Sequence, residues 1–113
     1  MHWKSESRLD NLAFSVALRA ADGYELCGAS TLDELPGLTL GPGTGWIDYA
    51  IPQLPFLPGS YHISAAIMHA RSGHVFDLSP SIAEFDVAPR SGSPIESGCI
   101  SLGAQWRPSG ALR

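Results

Sequence analysis

The chain lacks a helical period. None of its 113 residues fall into a convincing stretch with apolar side chains recurring every three to four positions. It also lacks a long apolar run; nothing approaches the ~18–20 residues that a membrane-spanning helix needs. The opening Met1-His2-Trp3-Lys4-Ser5-Glu6-Ser7 has no apolar core of the kind a secretory leader carries, so none is expected. Cysteine is scarce. Cys27 and Cys99 stand far apart with Trp46 between them, an order that invites an immunoglobulin reading. That reading asks for Tyr two residues before the second cysteine, where this chain has Ser97. Both cysteines are expected to be reduced thiols in a cytosolic protein, with a disulfide as the alternative. Excess charge is missing too. A net charge of −4, with acids and bases scattered, speaks against a nucleic-acid footprint and against attachment to anionic lipid.

Catalytic signatures are likewise missing. There is no Gly-x-Ser-x-Gly elbow, and acid pairs such as Asp33-Glu34 fall in loops, where solvation explains them. Gly41-Pro42-Gly43-Thr44-Gly45 neither follows a clear strand nor opens a helix, and no Lys follows at phosphate-loop spacing, so a turn is the expectation. Four histidines occur: His2, His62, His69 and His74. His69 and His74 flank a turn and Asp77 lies beyond, a set that could meet a metal across a hairpin. Without Cys or carboxylate at ligand spacing, solvated or hydrogen-bonded imidazoles are the better account. Neither an enzyme nor a metal nor a cofactor is expected.

What the sequence does hold is alternation. The centre is Ile51–His69. Pro52, Pro55, Pro58 and Gly59 forbid helix at its start. Then Tyr61, Ile63, Ala65 and Ile67 point one way, and His62, Ser64, Ala66 and Met68 the other. The entry Leu57-Pro58-Gly59-Ser60-Tyr61 looks like a tyrosine corner. In such a corner the ring is buried beside a sheet-crossing turn and its hydroxyl returns to nearby backbone. Tyr61, Pro58 and Gly59 are therefore assigned a structural role; the alternative is a proline-rich loop before an ordinary strand Tyr.

The remaining strands follow in order. Residues 12–31 read as a hairpin about Ala21-Asp22-Gly23, with Gly28 marking a bulge or a close neighbour. Residues 32–43 form a long connection. Thr44–Ile51 alternates, with Ile47, Tyr49 and Ile51 on one face and Trp46, Asp48 and Ala50 on the other. A turn at Ala70-Arg71-Ser72-Gly73 leads to a strand at 74–78; Ser79-Pro80-Ser81 interrupts, and 82–87 is a further strand. Residues 88–98, rich in Pro, Ser and Gly, read as a flexible linker to a last short strand at 100–102. Seven short strands predict an all-β fold, an antiparallel β-sandwich of immunoglobulin-like, Greek-key type, forming one domain over residues 1–113. A chain of this length buries roughly two-thirds of its unfolded surface and can fold without a staple. Trp3–Ser7 looks like the end of a strand whose beginning is missing.

The outward faces carry the functional expectation. Trp46 and Asp48 alternate with core residues on one strand, and His62 and Ser64 on another. An exposed indole offers a flat apolar face to the C–H side of a pyranose, while carboxylate and imidazole bond to hydroxyls. These four residues are the candidate saccharide site, with the loop at His69 and His74 as the other location. The competing account is a face that covers a protein partner or a missing strand.

Several runs resemble a known family. They are the hairpin Asp22-Gly23-Tyr24-Glu25-Leu26-Cys27-Gly28-Ala29-Ser30-Thr31, the run Ile51-Pro52-Gln53-Leu54-Pro55-Phe56-Leu57-Pro58-Gly59-Ser60-Tyr61, His74-Val75-Phe76-Asp77, Glu84-Phe85-Asp86-Val87 and a closing Trp106. In order and spacing they resemble the C-terminal domain of Wzt-type ATPases, the nucleotide-binding subunits of O-antigen polysaccharide ABC transporters. The likeness covers about residues 9–107. It departs at Ala29-Ser30-Thr31, where the family carries an Asn-Thr pair, and the family's opening strand and its ATPase half are not present in this sequence. The resemblance implies a non-catalytic β-sandwich that recognises the exported glycan and delivers it to transporter subunits at the cytoplasmic face of the inner membrane, without inserting into it. Glycan sites differ between members, so no binding residue is carried over. A structural or dimerisation module, and an accessory domain of a carbohydrate-active enzyme, are the other readings. A homodimer is expected, with the C-terminal strand crossing to the neighbouring copy.

Overall fold

A computed structural model describes residues 1–89 and 96–110. Seven strands are formed: β1 His2–Ser5, β2 Leu9–Ala20, β3 Glu25–Ser30, β4 Leu38–Leu40, β5 Gly43–Trp46, β6 Gly59–His69 and β7 Val75–Val87. They make two antiparallel sheets. The small one pairs β1 with β5, and the large one runs β3-β2-β6-β7, with β4 also pairing β2. The described residues contain no helix, as the missing helical period requires.

The hairpin β2–β3 closes where expected. Gly23, at φ +89°, takes the left-handed position that a side chain would strain, and the Asp22 carboxylate accepts from the Tyr24 N–H at 2.9 Å. The extra residue in this hairpin is Leu26, because Leu18 faces Cys27 while Arg19 faces Glu25. Gly28 answers to the other expectation, a close neighbour: a Cβ there would sit 3.3 Å from the Glu25 carboxylate. Strand β2 begins earlier than its alternation suggests, at Leu9. It passes an irregularity at Asn11, whose φ of +53° breaks the two-residue period.

Three expectations are corrected. The strands expected at 74–78 and 82–87 are one strand, β7. It lies at the end of the sheet order, so Pro80 removes no ladder hydrogen bond there. The interruption survives as a shift of register, with Ile63 facing Ala83 but Ala65 facing Ser79. The strand expected over 44–51 stops at Trp46; the Ile47 N–H still bonds the Met1 carbonyl at 2.8 Å, and beyond it Tyr49 and Ile51 are exposed. The last strand at 100–102 is reduced to a single bridge between Ile100 and Phe56. Flanking it, the Leu57 N–H bonds the Cys99 carbonyl at 2.9 Å and the Ser101 N–H bonds the Pro55 carbonyl at 2.6 Å. Most of the expected linker at 88–98 lies outside the described residues.

The core has two halves. Leu12, Phe14 and Leu40 are buried together, with Trp3, Leu38, Ile47 and Ile67 packed around them. Here the small sheet covers the large one. Trp3 lies over Gly45, its cross-strand partner, so closely that a Cβ on Gly45 would collide with the indole. The other half is closed by the proline-rich connection. Phe56 stacks on Tyr61 at 4.7 Å, and Tyr61 on Phe85 at 5.5 Å between ring centroids.

Candidate functional site

The corner at the start of β6 is formed as the residues require. Tyr61 is 4% exposed and its hydroxyl donates to the Leu57 carbonyl at 2.6 Å. Burial raises the phenol above its ordinary value of 10.0, and the neighbouring Cys99 thiol adds to the rise. Pro58 and Gly59 complete the turn between the two bonded residues. This is scaffold, and it fixes where β6 places its outward side chains.

The structure separates the candidate saccharide residues into distinct regions. Trp46 is 66% exposed on the outer face of the small sheet. Its cross-strand partner is His2, and the next pair on that face is Lys4 with Thr44. Both pairs alternate with the inward Trp3 and Gly45. A shallow cleft is lined by His2, Trp3, Lys4, Thr44, Gly45 and Trp46. Asp48 is not part of it. Strand β5 has ended by then, and Asp48 lines a different crevice with Phe14, Val16, Leu35 and Tyr49.

His62 lies on the large sheet, in register with Arg19 on one side and Glu84 on the other. Arg19 in turn bonds Glu25 at 3.3 Å and the Gly23 carbonyl at 3.2 Å. Cross-strand pairing thus lays Glu25, Arg19, His62 and Glu84 in one row, the interacting unit of a sheet face. Beside it the Ser60 hydroxyl donates to Asp86 at 2.7 Å. Ser64 does not join this row as an exposed contact; it is 8% exposed. A short side chain on a central strand, facing Ala17 on one side and the register shift of β7 on the other, presents little surface.

His69 and His74 do meet, as the ends of the β6–β7 turn. The His69 N–H bonds the His74 carbonyl at 2.8 Å. The His69 Nδ1 is occupied by that turn, accepting from the N–H groups of Arg71 and Ser72 at 3.2 Å each. His74 is exposed and meets Phe76 edge-on at 4.9 Å. Among the described residues no group of three or more His, Cys, Asp or Glu is arranged to hold a metal ion.

Sequence reasoning overlooked His2, Lys4 and Thr44 beside Trp46, and Arg19, Glu25 and Glu84 around His62. The alternation of Met1-His2-Trp3-Lys4 was signal enough for the first set. Only register could supply the second.

Two antiparallel sheets closed over a shared core, with an indole standing free on the outside, define a β-sandwich domain with an exposed aromatic side chain on its small sheet. Residues 1–102 match the family model of the Wzt C-terminal domain, and the chain belongs to that family. It is similar to a crystal structure of the C-terminal domain of Wzt, with 18% identity and a TM-score of 0.69 over 92% of this chain. The match spans 64% of that other chain. No functionally curated protein matches the sequence.

Proposed function

We propose that this domain is a non-catalytic carbohydrate-binding module, one that recognises a bacterial O-antigen or related cell-surface polysaccharide for ABC-transporter export. The observation that carries the reading is Trp46. In a member of the Wzt C-terminal domain family, an indole held 66% exposed on a paired strand is a stacking surface for a sugar ring. The cleft around it supplies hydroxyl, imidazole and ammonium groups for the sugar's hydroxyls. The row at His62 and the turn at His69 and His74 are the alternative positions for the glycan. The domain would work at the cytoplasmic face of the inner membrane, as part of a transporter complex. Among the described residues no helix is long and apolar enough to cross a membrane.

The same reading includes a homodimer built through the C-terminal segment. Ile100 and Leu102 are exposed and Trp106 is 101% exposed, and apolar side chains of this size want a cover. A glycan array of the purified domain, followed by titration calorimetry with Trp46→Ala, tests the first part. Binding that survives Trp46→Ala unchanged moves the site to His62 or to the His69–His74 turn.

A second reading, a dimerisation or structural module, has its own observation. Val75, Phe76, Leu78 and Ile82 on the terminal strand β7 are all exposed, and an apolar edge strand is a template for pairing with another chain. A folded domain that dimerises but binds no glycan on the array would favour it.

A further inference from the structure

We infer that the outer face of the small sheet takes a sugar carrying one carboxylate, a uronic acid, with its ring on Trp46 and its carboxylate toward Lys4. This rests on the carbohydrate-binding reading and narrows it to a substrate class.

The placement comes from register. His2 faces Trp46 and Lys4 faces Thr44 on the same side of β1 and β5. Directly opposed side chains stand about 4.5–5.5 Å apart at Cβ, and diagonal ones about 7–8 Å, within reach of a long side chain. Lys4 is diagonal to Trp46. Its ammonium, on a four-carbon stem, can reach a substituent at the rim of a ring stacked on the indole. Thr44, directly opposite Lys4, adds a hydroxyl on the same side, and His2, directly opposite Trp46, adds an imidazole at the flank of the ring.

Charge selects the class. Acids outnumber bases by 11 to 7 along the chain, and Lys4 is its one lysine. Arg8 and Arg19 are held by Asp10 and Glu25 at 3.0 and 3.3 Å, whereas Lys4, Arg71 and Arg107 have no carboxylate within ion-pair distance among the described residues, and of these three it is Lys4 that lines the cleft with Trp46. No carboxylate lines the cleft. An acidic domain repels an anionic polysaccharide from most of its surface. A face with a free ammonium and no acid is where such a chain can settle. One permanent positive charge matches one carboxylate. A phosphate monoester carries close to two negative charges and would find half its counter-charge missing.

The test uses the full chain. Titration calorimetry is run at low salt with a panel of glucuronate-, galacturonate- and mannuronate-containing oligosaccharides, each beside its neutral counterpart of the same linkage and length. A sugar 6-phosphate is included. At least one uronate should bind about five-fold tighter than its neutral counterpart, the scale of an exposed ion pair. That preference should vanish in 0.5 M salt and in Lys4→Gln, and persist in Lys4→Arg. Trp46→Ala should remove binding of both forms. Equal binding of charged and neutral sugars, tighter binding of the phosphate, or a preference that survives Lys4→Gln overturns the inference and leaves carbohydrate binding intact. No binding of any sugar overturns both.

Discussion

The Tyr61 hydroxyl donates to the Leu57 carbonyl at 2.6 Å, four residues back and across the turn that starts β6. That carbonyl is on the same residue whose N–H donates to the Cys99 carbonyl at 2.9 Å. One phenol therefore anchors the proline-rich connection, and through it the C-terminal segment. Tyr61→Phe keeps the ring stack with Phe56 and Phe85 but leaves a buried acceptor without its donor. The expected loss is about 1 kcal/mol. It should appear as a lower urea midpoint with unchanged slope; a neutral substitution would show that the corner does not hold the fold.

The same phenol contributes to the pH dependence of stability on the alkaline side. Burial raises its titration above 10.0 in the folded state, so the unfolded chain loses this proton first as pH climbs. The contribution is fully present below about pH 10 and is lost as pH rises through the folded-state value. Urea midpoints measured from pH 8 to 11.5 should fall above pH 10 in the wild type. In Tyr61→Phe, which has nothing to titrate there, the fall should be shallower. Parallel curves would assign the alkaline loss to other groups.

Gly45 is required by contact. A Cβ at this position would collide with the Trp3 indole, which half-covers the core beneath the small sheet. Gly45→Ala should cost about 1–3 kcal/mol, as overpacking does, and shift Trp3 fluorescence toward that of a more exposed indole. A stable variant with unchanged emission would mean that the two sheets slide apart freely.

Trp46→Ala should behave in the opposite way. Its side chain stands outside the core, and surface changes usually stay within about 0.5 kcal/mol. Thermal unfolding should be unaltered while glycan titration falls to baseline. Loss of the fold together with the binding would mean that Trp46 is a structural residue.

Light scattering at micromolar concentration should report about twice the 12.0 kDa chain mass. Deleting residues 98–113 should dissociate or unfold the protein, because that removes Ile100, Leu102 and Trp106 together with the bonds to Pro55 and Leu57. A monomer that retains glycan affinity would refute the dimer.

Much of the fold was legible because a half-buried strand writes its two faces into the sequence. Phe14 and Leu18, and Tyr61 and Ala65, are buried where the period of two placed them. The corner was legible because three prolines and a glycine leave few conformations. What alternation cannot convey is which strand lies beside which. Trp46 with Asp48, and His62 with Ser64, each share a parity within a segment. Even so, β5 pairs β1 while β6 sits in the other sheet, and Asp48 falls past the end of β5. Exposure is also more than parity. Ser64 has the outward phase and is buried, since a short side chain between two neighbouring strands is shaded by them. Pro80 misled for a related reason: proline reads as a break unless the strand is known to lie at the border of its sheet.

Pro80 also bears on how the protein behaves when concentrated. At thirteen residues β7 is the longest strand, with Val75, Phe76, Leu78 and Ile82 open to solvent. An uninterrupted ribbon of that kind could template fibre growth, copy upon copy. The missing N–H at Pro80 and the shifted register around Ser79–Ala83 split the ribbon into two short pieces that cannot both be matched in step. Solutions of the domain should therefore keep small, closed assemblies where an unbroken β7, as in Pro80→Val, would seed amyloid.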